Sequence, residues 1–185
     1  MRLLILFTFL LLSTACFSQQ YVSSNFFDSL RNVEKGHVGK SFPVFTAKDI
    51  NGKYLSDSSL LGKITLINFW FEGCHPCVAE FAALNEIFEK FHNNKLFNFI
   101  TFTFESPASI VEIIKKYSLK FPIVSISEQE CHWLNFGSGF PANIIVNKQG
   151  KVAFFRSGGP TEVAIASQEI DSTILPELSQ LLRKN

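Results

Sequence analysis

Charge is scarce in this sequence, and neither sign is in excess. Only 18% of the 185 residues are charged, and the formal net charge is +1 at pH 7. A protein that binds nucleic acid presents a basic face to the phosphates, so we predict no nucleic-acid partner. Disorder is excluded as well, because a disordered chain combines low hydrophobicity with high net charge, and 46% of these residues are hydrophobic. The length predicts a single domain, since domains span roughly 100–200 residues.

Cysteine is also scarce, with four residues in the chain: Cys16, Cys74, Cys77 and Cys131. Four cysteines are too few to staple a scaffold of this length with disulfides. They are enough for one reactive pair and two further cysteines. The composition therefore turns the question to what each cysteine does.

Long apolar runs are missing except at the N-terminus, where residues 3–12 are almost entirely apolar. This run is shorter than the roughly 20 residues of a membrane-spanning helix, follows Arg2 and ends in small residues. It predicts a signal peptide over residues 1–18 and a protein exported to the periplasm or cell envelope. The alternative is lipoprotein processing, in which Cys16 would carry a lipid anchor. Simple cleavage is favoured, because Ser13 stands where such lipid-attachment motifs usually carry Leu.

Residues 19–38 are polar and mixed, which predicts a lead-in or tether before a single domain over residues 39–185. Apolar periodicity within that domain predicts a hairpin followed by the order β-α-β-α-β-β-β-α. Such an order implies an α/β fold with a mixed sheet and helices on both faces. The predicted elements are a hairpin of residues 44–50 and 53–55 across Asn51-Gly52, strands over 64–71, 96–104 and 121–126, helices over 77–91 and from Pro107 with Ser106 as N-cap, a hairpin of 142–147 and 151–156, and a C-terminal helix with Pro176 in its first turn.

The informative motif is Cys74-His75-Pro76-Cys77, at the point where the apolar strand gives way to a helix. Ligand sites of open α/β sheets lie at the carboxyl ends of strands, so the position is favourable for a site. Free N–H groups at the helix N-terminus would stabilise a thiolate on Cys74, and a protonated His75 would add to this. Pro76 suits a first helical turn and restricts the loop. Cys77, one turn further in, is expected to be more buried and to act as the resolving thiol.

Other interpretations of the motif fit less well. Covalent haem attachment needs His after the second cysteine, where the chain has Val78. A zinc site would have to recruit the adjacent pair Cys131 and His132, which suits tetrahedral coordination poorly. A purely structural disulfide would close a very small loop and constrain the unfolded chain little. A copper or zinc carrier remains an alternative, with Cys74, Cys77 and His132 as ligands.

The two remaining features of interest are Cys131 and the histidines. A cysteine in a Phe-rich region is most often a small buried hydrophobe, which is our expectation for Cys131. A third redox thiol, or a metal ligand together with His132, is the alternative. His37 and His92 have no evident partner in the sequence and are expected at the surface.

In combination the motifs resemble the thioredoxin superfamily, and most of all its exported TlpA/ResA-like thiol–disulfide oxidoreductases, which carry an AhpC/TSA-redoxin-like domain. The resemblance rests on Asn68-Phe69-Trp70 before the cysteine pair and on Gly139-Phe140-Pro141 before the strand at 143–146. It extends from about residue 39 to the C-terminus. It implies a thioredoxin fold: a central mixed β-sheet flanked by helices on both faces, with an N-terminal β-hairpin extension.

The resemblance also implies roles for individual residues. Cys74 would be the nucleophile and Cys77 the resolving thiol, and the two would form the redox disulfide. A cis peptide between Phe140 and Pro141 would face this disulfide and present backbone to a substrate. Substrate binding is accordingly expected at a set of residues near the pair: Trp70, His75, Pro76, Phe140 and Pro141.

The sequence departs from the superfamily at two positions. Gly73 replaces the Trp that often precedes the first cysteine, and Asn68 replaces a buried Asp. Glu80 offers a substitute carboxyl, as in the exported branch, and helical periodicity places it on the apolar face one turn after Cys77. Burial should raise its pKa and allow it to exchange a proton with Cys77. The alternative is a Glu that favours the helix N-terminus and tilts into solvent.

The function that follows is reduction of protein disulfides in the cell envelope, with no cofactor, because the cysteine pair carries the electrons. Apocytochrome c is one candidate among the protein substrates, a membrane electron donor would regenerate the pair, and the protein is expected to be a monomer. His75 argues for a more oxidising pair, because it stabilises the reduced thiolate. A peroxiredoxin-like peroxidase is the other enzymatic alternative, but it requires Thr or Ser where this chain has Phe71.

Overall fold

Strand β3 lies at the centre of the sheet, and its residues are therefore buried on both faces. In the computed structural model, which describes residues 31–184, the five-stranded sheet has the order β5-β4-β3-β6-β7. The β3–β4 and β4–β5 pairs are parallel, and the β3–β6 and β6–β7 pairs are antiparallel. The strands are β3 Ile64–Phe69, β4 Phe97–Thr103, β5 Ile123–Ser125, β6 Ala142–Val146 and β7 Val152–Ser157. The predicted mixed sheet is confirmed.

Two strands precede this sheet and form a separate antiparallel hairpin, β1 Thr46–Lys48 and β2 Tyr54–Ser56. The prediction of a tight turn at Asn51-Gly52 is wrong, because the loop between the two strands runs from residue 49 to residue 53. Oδ1 of Asp49 accepts hydrogen bonds from the backbone N–H groups of Asn51 and Lys53, both at 2.9 Å. The Asp side chain therefore organises a wider loop than a two-residue turn allows.

Helices cover both faces of the sheet, as predicted. One apolar cluster includes Leu66 of β3 and buried residues of α1 His75–Phe91, α2 Pro107–Tyr117 and α4 Val163–Arg183. The other includes the next residue of β3, Ile67, with the hairpin and α3 Glu128–Leu134. Adjacent strand residues point to opposite faces, so the strand separates the two clusters. On α2 the N-cap Ser106 is confirmed.

Two helices differ from the prediction. Helix α3 was not predicted, although Ser127 and Glu130 form a capping box at its start. Helix α4 begins at Val163, so Pro176 lies inside it and not in its first turn. Apolar residues before the proline, including Ile170 and Ile174, are buried, and their packing keeps the chain helical on both sides of Pro176.

The predicted signal peptide, Cys16 and the first part of the lead-in lie outside the described residues. Residues 31–37 are helical. The chain divides between residues 36 and 37, and every labelled element belongs to the second unit. No helix within residues 31–184 has the length and apolar character to cross a membrane.

Candidate active site

The cysteine pair lies where the sequence places it, just beyond the carboxyl end of β3. Cys74 is the N-cap of α1, in an extended backbone conformation, and forms a disulfide with Cys77. Its Sγ accepts a hydrogen bond from the backbone N–H of Cys77 at 3.2 Å. The sulfur thus occupies the position of an N-capping oxygen, where a negative charge is favoured. The helix begins at His75, two residues before the predicted start.

The two sulfurs differ in access. Cys74 is 7% exposed and Cys77 is 1% exposed, so Cys74 is the less buried of the two residues. The turn that leads into the helix is closed by a hydrogen bond from the N–H of Cys74 to the carbonyl of Phe71 at 3.1 Å. His75 is exposed and Pro76 is half-buried beside the disulfide.

Glu80 is buried as predicted, with 4% of its surface exposed. Nδ2 of Asn143 donates to its carboxylate oxygens at 3.1 and 3.0 Å, and Nδ2 of Asn68 donates more weakly at 3.4 Å. The two asparagines face each other across β3 and β6, and Asn68 also donates to Oδ1 of Asn143 at 2.9 Å. Two amides therefore hold the carboxyl in place on the underside of α1.

The environment changes the proton affinity of this carboxyl. Burial raises the pKa of Glu80 from 4.5 to about 8, and the charge of Glu169 adds to the rise. The hydrogen bonds from Asn143 and Asn68 and the positive charge of Arg156 oppose it. A carboxyl with a pKa close to that of a thiol can take a proton from it or return it near neutral pH.

Asn143 is a functional candidate that the sequence reasoning missed. It is fully buried in an otherwise apolar strand of sequence Ala-Asn-Ile-Ile-Val. That isolated polar residue was the available signal, since a buried amide must have hydrogen-bond partners. Asn68, interpreted only as a departure from the superfamily, proves to be the second partner of the carboxyl.

The peptide between Phe140 and Pro141 is cis, as the resemblance implies. Pro141 is buried, and its carbonyl accepts a hydrogen bond from the N–H of Gly158 at 2.8 Å. Phe140 is half-buried and packs against the apolar cluster that contains both cysteines. A Cβ atom placed on the neighbouring Gly159 would lie 3.3 Å from Oε1 of Glu80 and 3.7 Å from Cγ of Pro141.

Trp70, expected to contact the substrate, lies in the core beneath the site. It is fully buried and packs edge-on against Phe81, at 5.2 Å between ring centroids. Phe71 is the outer aromatic residue instead, stacked on Phe104 at 5.1 Å and edge-on to Phe140 at 5.3 Å. The reason is the glycine before the first cysteine: a Cβ on Gly73 would lie 3.3 Å from the Phe71 ring, so that ring fills space a side chain at 73 would need.

The remaining candidates lie apart from the disulfide. Cys131 is fully buried on the opposite face of the sheet, and burial, with the negative charges of Glu130 and Glu128, raises its pKa to about 12. His132 is exposed, 3.9 Å from Glu128, and touches Phe140 edge-on. Within residues 31–184, no three His, Cys, Asp or Glu side chains are grouped as a metal site would require. Cys131 and His132 are not brought together with the cysteine pair.

His37 and His92 differ from each other. His92 is exposed, as expected, although its Nδ1 lies 2.9 Å from the carbonyl of Glu89. His37, expected at the surface without a partner, is only half-exposed and stacks on Phe136 at 4.0 Å. Burial, with the charge of Lys40, lowers the pKa of His37.

A groove of about 800 Å³ runs along one side of the pair. Gly73 and His75 border it on the motif side, and an ion pair between Lys116 and Glu72, at 2.9 Å, closes part of its wall. Thr161 and Val163, at the start of α4, form the other side. The surface beside the cysteine motif therefore mixes charged and apolar side chains.

Comparisons with known proteins agree with this geometry. Residues 38–155 match the AhpC/TSA family. A thiol-disulfide oxidoreductase ResA from Bacillus thuringiensis (strain Al Hakam) is 31% identical over 120 residues, which cover 64% of this chain and 69% of the relative. ResA from Bacillus subtilis (strain 168) is 29% identical over 127 residues, with 69% and 71% covered.

Solved structures share the fold. A thiol-disulfide oxidoreductase from Bacteroides fragilis has a TM-score of 0.58 at 23% identity, with 70% of this chain and 99% of that chain covered. A thiol:disulfide interchange protein of the thioredoxin family from Chlorobium tepidum also has a TM-score of 0.58, at 19% identity, with 77% and 95% covered. The likeness in fold, the matched relatives and the Cys74–Cys77 pair lead to one conclusion: the chain belongs to the AhpC/TSA family and is a ResA-like thiol–disulfide oxidoreductase with a thioredoxin fold.

Proposed function

We propose that the protein is exported and reduces disulfides of cell-envelope proteins, with Cys74 as nucleophile and Cys77 as resolving thiol. The carrying observation is the difference in access, 7% exposure for Cys74 against 1% for Cys77 at the helix N-terminus. A substrate disulfide can be attacked only by the sulfur that it can reach. The buried sulfur lies one turn away and can attack only its neighbour.

The reaction balances over two exchanges. The Cys74 thiolate attacks one substrate sulfur, which forms a mixed disulfide and releases the other substrate sulfur as a thiolate. The Cys77 thiolate then attacks Sγ of Cys74, which closes the Cys74–Cys77 disulfide and releases the second substrate thiolate. Two electrons pass from the protein to the substrate. A membrane electron donor returns two electrons to the disulfide and restores both thiols.

Glu80 is proposed to handle the proton of Cys77. It lies one helical turn after Cys77, and both are buried. A buried thiol loses its proton with difficulty, because its thiolate is poorly solvated. The Glu80 carboxylate can accept that proton when the mixed disulfide is resolved, and the pKa of about 8 suits the exchange. Oδ1 of Asn68 is buried without a hydrogen-bond partner among the described residues, so rotation of this amide could offer it to the protonated carboxyl.

The substrate polypeptide is proposed to bind beside the cis peptide. Phe140 is half-buried and borders the cysteine cluster, and the Phe71 ring adds to the same edge. Pro141 is buried, so its contribution would come from the backbone of this segment, and His75 and Pro76 would form the other border. Trp70 would support the site from within.

A Glu80→Gln variant tests the proton role. Gln keeps the size of the side chain but cannot take up a proton, so resolution of the mixed disulfide should slow about 10²-fold, the lower end of general acid–base effects. Single-turnover reduction of a disulfide-bonded peptide, followed from pH 5 to pH 10, measures this step. We also expect the inflection near pH 8 to vanish from the rate profile.

The matched control is Glu86→Gln, because Glu86 lies on the same helix but is exposed. This variant should follow the parent protein at every pH. An unchanged pH profile in Glu80→Gln would show that Glu80 is only a structural residue.

The direction of electron flow is tested by the reduction potential of the pair. A reductase should equilibrate with glutathione or dithiothreitol near the roughly −270 mV of thioredoxin, whereas strong oxidants lie near about −120 mV. The exposed His75 is the residue that would raise the potential, and His75→Ala should lower it. A parent value near that of the strong oxidants would reverse the assignment to an oxidase.

Export and substrates can be examined in the native cell. Mass spectrometry of the mature N-terminus separates cleavage after Ser18 from acylation at Cys16, and a cytoplasmic chain that keeps residues 1–18 would contradict export. A Cys77→Ala variant cannot resolve its mixed disulfide and should trap its substrates. Cytochrome c precursors among the trapped proteins would support a role in cytochrome maturation.

A further inference from the structure

A row of polar side chains crosses three strands beneath α1. Asn68 of β3 is the register partner of Asn143 of β6, and Asn143 is the register partner of Arg156 of β7. Residues directly paired in neighbouring strands project from the same face of a sheet. The three side chains therefore stand side by side on the face that α1 and α4 cover.

The inner end of this row holds Glu80 and the outer end holds an ion pair. Asn68 and Asn143 both donate hydrogen bonds to the buried carboxyl. Arg156 forms an ion pair with Glu169 of α4, and their side chains are 40% and 24% exposed. The register of the three strands thus places the Arg156–Glu169 ion pair at the outer end of the row whose inner end holds the proposed proton acceptor.

We propose that Arg156 and Glu169 form a positioning pair whose opposed charges balance each other at the buried Glu80 carboxyl, so that the pH range in which the enzyme works depends on both charges. The inference rests on the proposed function only in its second part, since the proton affinity of Glu80 can be measured without any exchange reaction. The pair reaches Glu80 through the row and touches neither cysteine.

The charges of Arg156 and Glu169 have opposite effects on the protonation of Glu80. Among the described residues, Arg156 and Glu169 are the charged groups that act on Glu80, since β3 and β6 face it with neutral amides and α1 places the disulfide next to it. Arg156 favours the carboxylate form and Glu169 favours the protonated form. With both present the two effects largely cancel. Removal of either charge leaves the other acting on a buried group, where screening by salt is weak.

Two variants, each of which removes one charge of the pair, give opposite expectations. Arg156→Gln should raise the pH midpoint of Glu80 by about half a unit or more, and Glu169→Gln should lower it by a similar amount. Carbon-13 NMR of the Glu80 carboxyl in the oxidised protein measures the midpoint directly, with Glu80→Gln identifying the signal. The intact disulfide removes both cysteine thiols from the titration.

Three controls separate charge from structure. Arg156→Lys keeps the positive charge and should keep the midpoint, and the double variant Arg156→Gln/Glu169→Gln should return close to the parent value. Glu89→Gln removes an exposed ion pair with Lys120 further along α1 and should leave the midpoint unchanged. If Arg156→Gln does not fold, the expected fall in Glu169→Gln decides the matter alone.

The outcomes distinguish this inference from the proposed function. Unchanged midpoints, or shifts of the same sign in both variants, would overturn the inference even if Glu80→Gln slows exchange. The inference and the proposed function are both supported if the two midpoints shift in opposite directions and the pH–rate profile of each variant moves in the same direction as its midpoint. A midpoint shift of half a pH unit corresponds to a change of about threefold in rate. Opposite midpoint shifts with an unmoved rate profile would support the balance and reject Glu80 as the proton acceptor.

Discussion

Gly159 lies directly beside the buried carboxyl of Glu80. It is only partly exposed, and a Cβ at this position would lie 3.3 Å from Oε1 of Glu80. Its backbone is not in the left-handed region, so a side chain at position 159 would be crowded by its neighbours but not strained by its backbone. The absence of a side chain therefore keeps apolar atoms away from this side of the carboxyl.

Gly159→Ala should raise the pKa of Glu80 further, because a methyl group against the carboxylate removes solvation from the charged form. Exchange at pH 7 should slow several-fold, and the rate inflection should move to higher pH. The pH–rate profile measures both, with Gly36→Ala as the control, since nothing lies within 4 Å of a Cβ there. A slower rate with an unmoved inflection would indicate steric hindrance of the substrate instead.

Single residues were predicted well where the sequence places them on a helix. The burial of Glu80 follows from its spacing to Leu84 and Ile87, and this was confirmed. The roles of Asn143 and Phe71 were missed, because each depends on a neighbour from a distant part of the chain. Asn143 meets Glu80 only through the β3–β6 pairing, and Phe71 occupies its site because residue 73 has no side chain.

At the scale of elements, the C-terminal helix α4 was predicted, but its start and the place of Pro176 in it were wrong. Proline was expected at its start, because proline lacks the N–H that the helix interior requires. The helix instead begins at Val163 and runs through Pro176, anchored by buried residues on both sides such as Ile170 and Leu178. Tertiary packing against α1 outweighs the local cost of the proline, which no local pattern reveals.

Pro176→Ala should therefore stabilise the protein by about 1–3 kcal/mol. Alanine removes the clash with the preceding turn and supplies a donor for the carbonyl of Ser172, which has none at position 176. The gain is limited by the greater freedom that alanine gives the unfolded chain. Urea unfolding of the oxidised protein measures the change, with Gln180→Ala, an exposed residue of the same helix, as the control. A destabilised variant would mean that the packing of α4 requires the bend of the proline.

For the whole molecule, the layered arrangement was predictable and its consequence for stability was not. The alternation of apolar strands and helices predicts a mixed sheet covered on both faces, and the two apolar clusters confirm it. The same layers bury Glu80 away from water. The residues that interact with its carboxyl range from Asn68 to Glu169 along the chain. The energetic state of that carboxyl is thus a property of the complete fold.

Folding stability should depend on pH through Glu80, and the sign follows from the raised pKa. The pKa is 4.5 as the reference value and about 8 in the fold, so the folded state holds the proton more tightly. The contribution of the Glu80 proton to the free energy of unfolding is fully present below pH 4.5 and is lost as the pH rises through about 8. Above that pH the free energy no longer changes through Glu80. The total loss is on the order of several kcal/mol. The pKa of His37 is shifted as well, in the lowering direction, because of its burial and the charge of Lys40.

Comparison with Glu80→Gln isolates the contribution of this one group. Urea unfolding of the oxidised protein at pH 5 and pH 9 should show a much larger loss for the parent than for the variant, because Gln carries no charge at either pH. The titration of His37 is common to both proteins and cancels in the difference. Equal losses in the two proteins would mean that the fold does not hold Glu80 protonated, and that the pair of asparagines solvates its charge as well as water does.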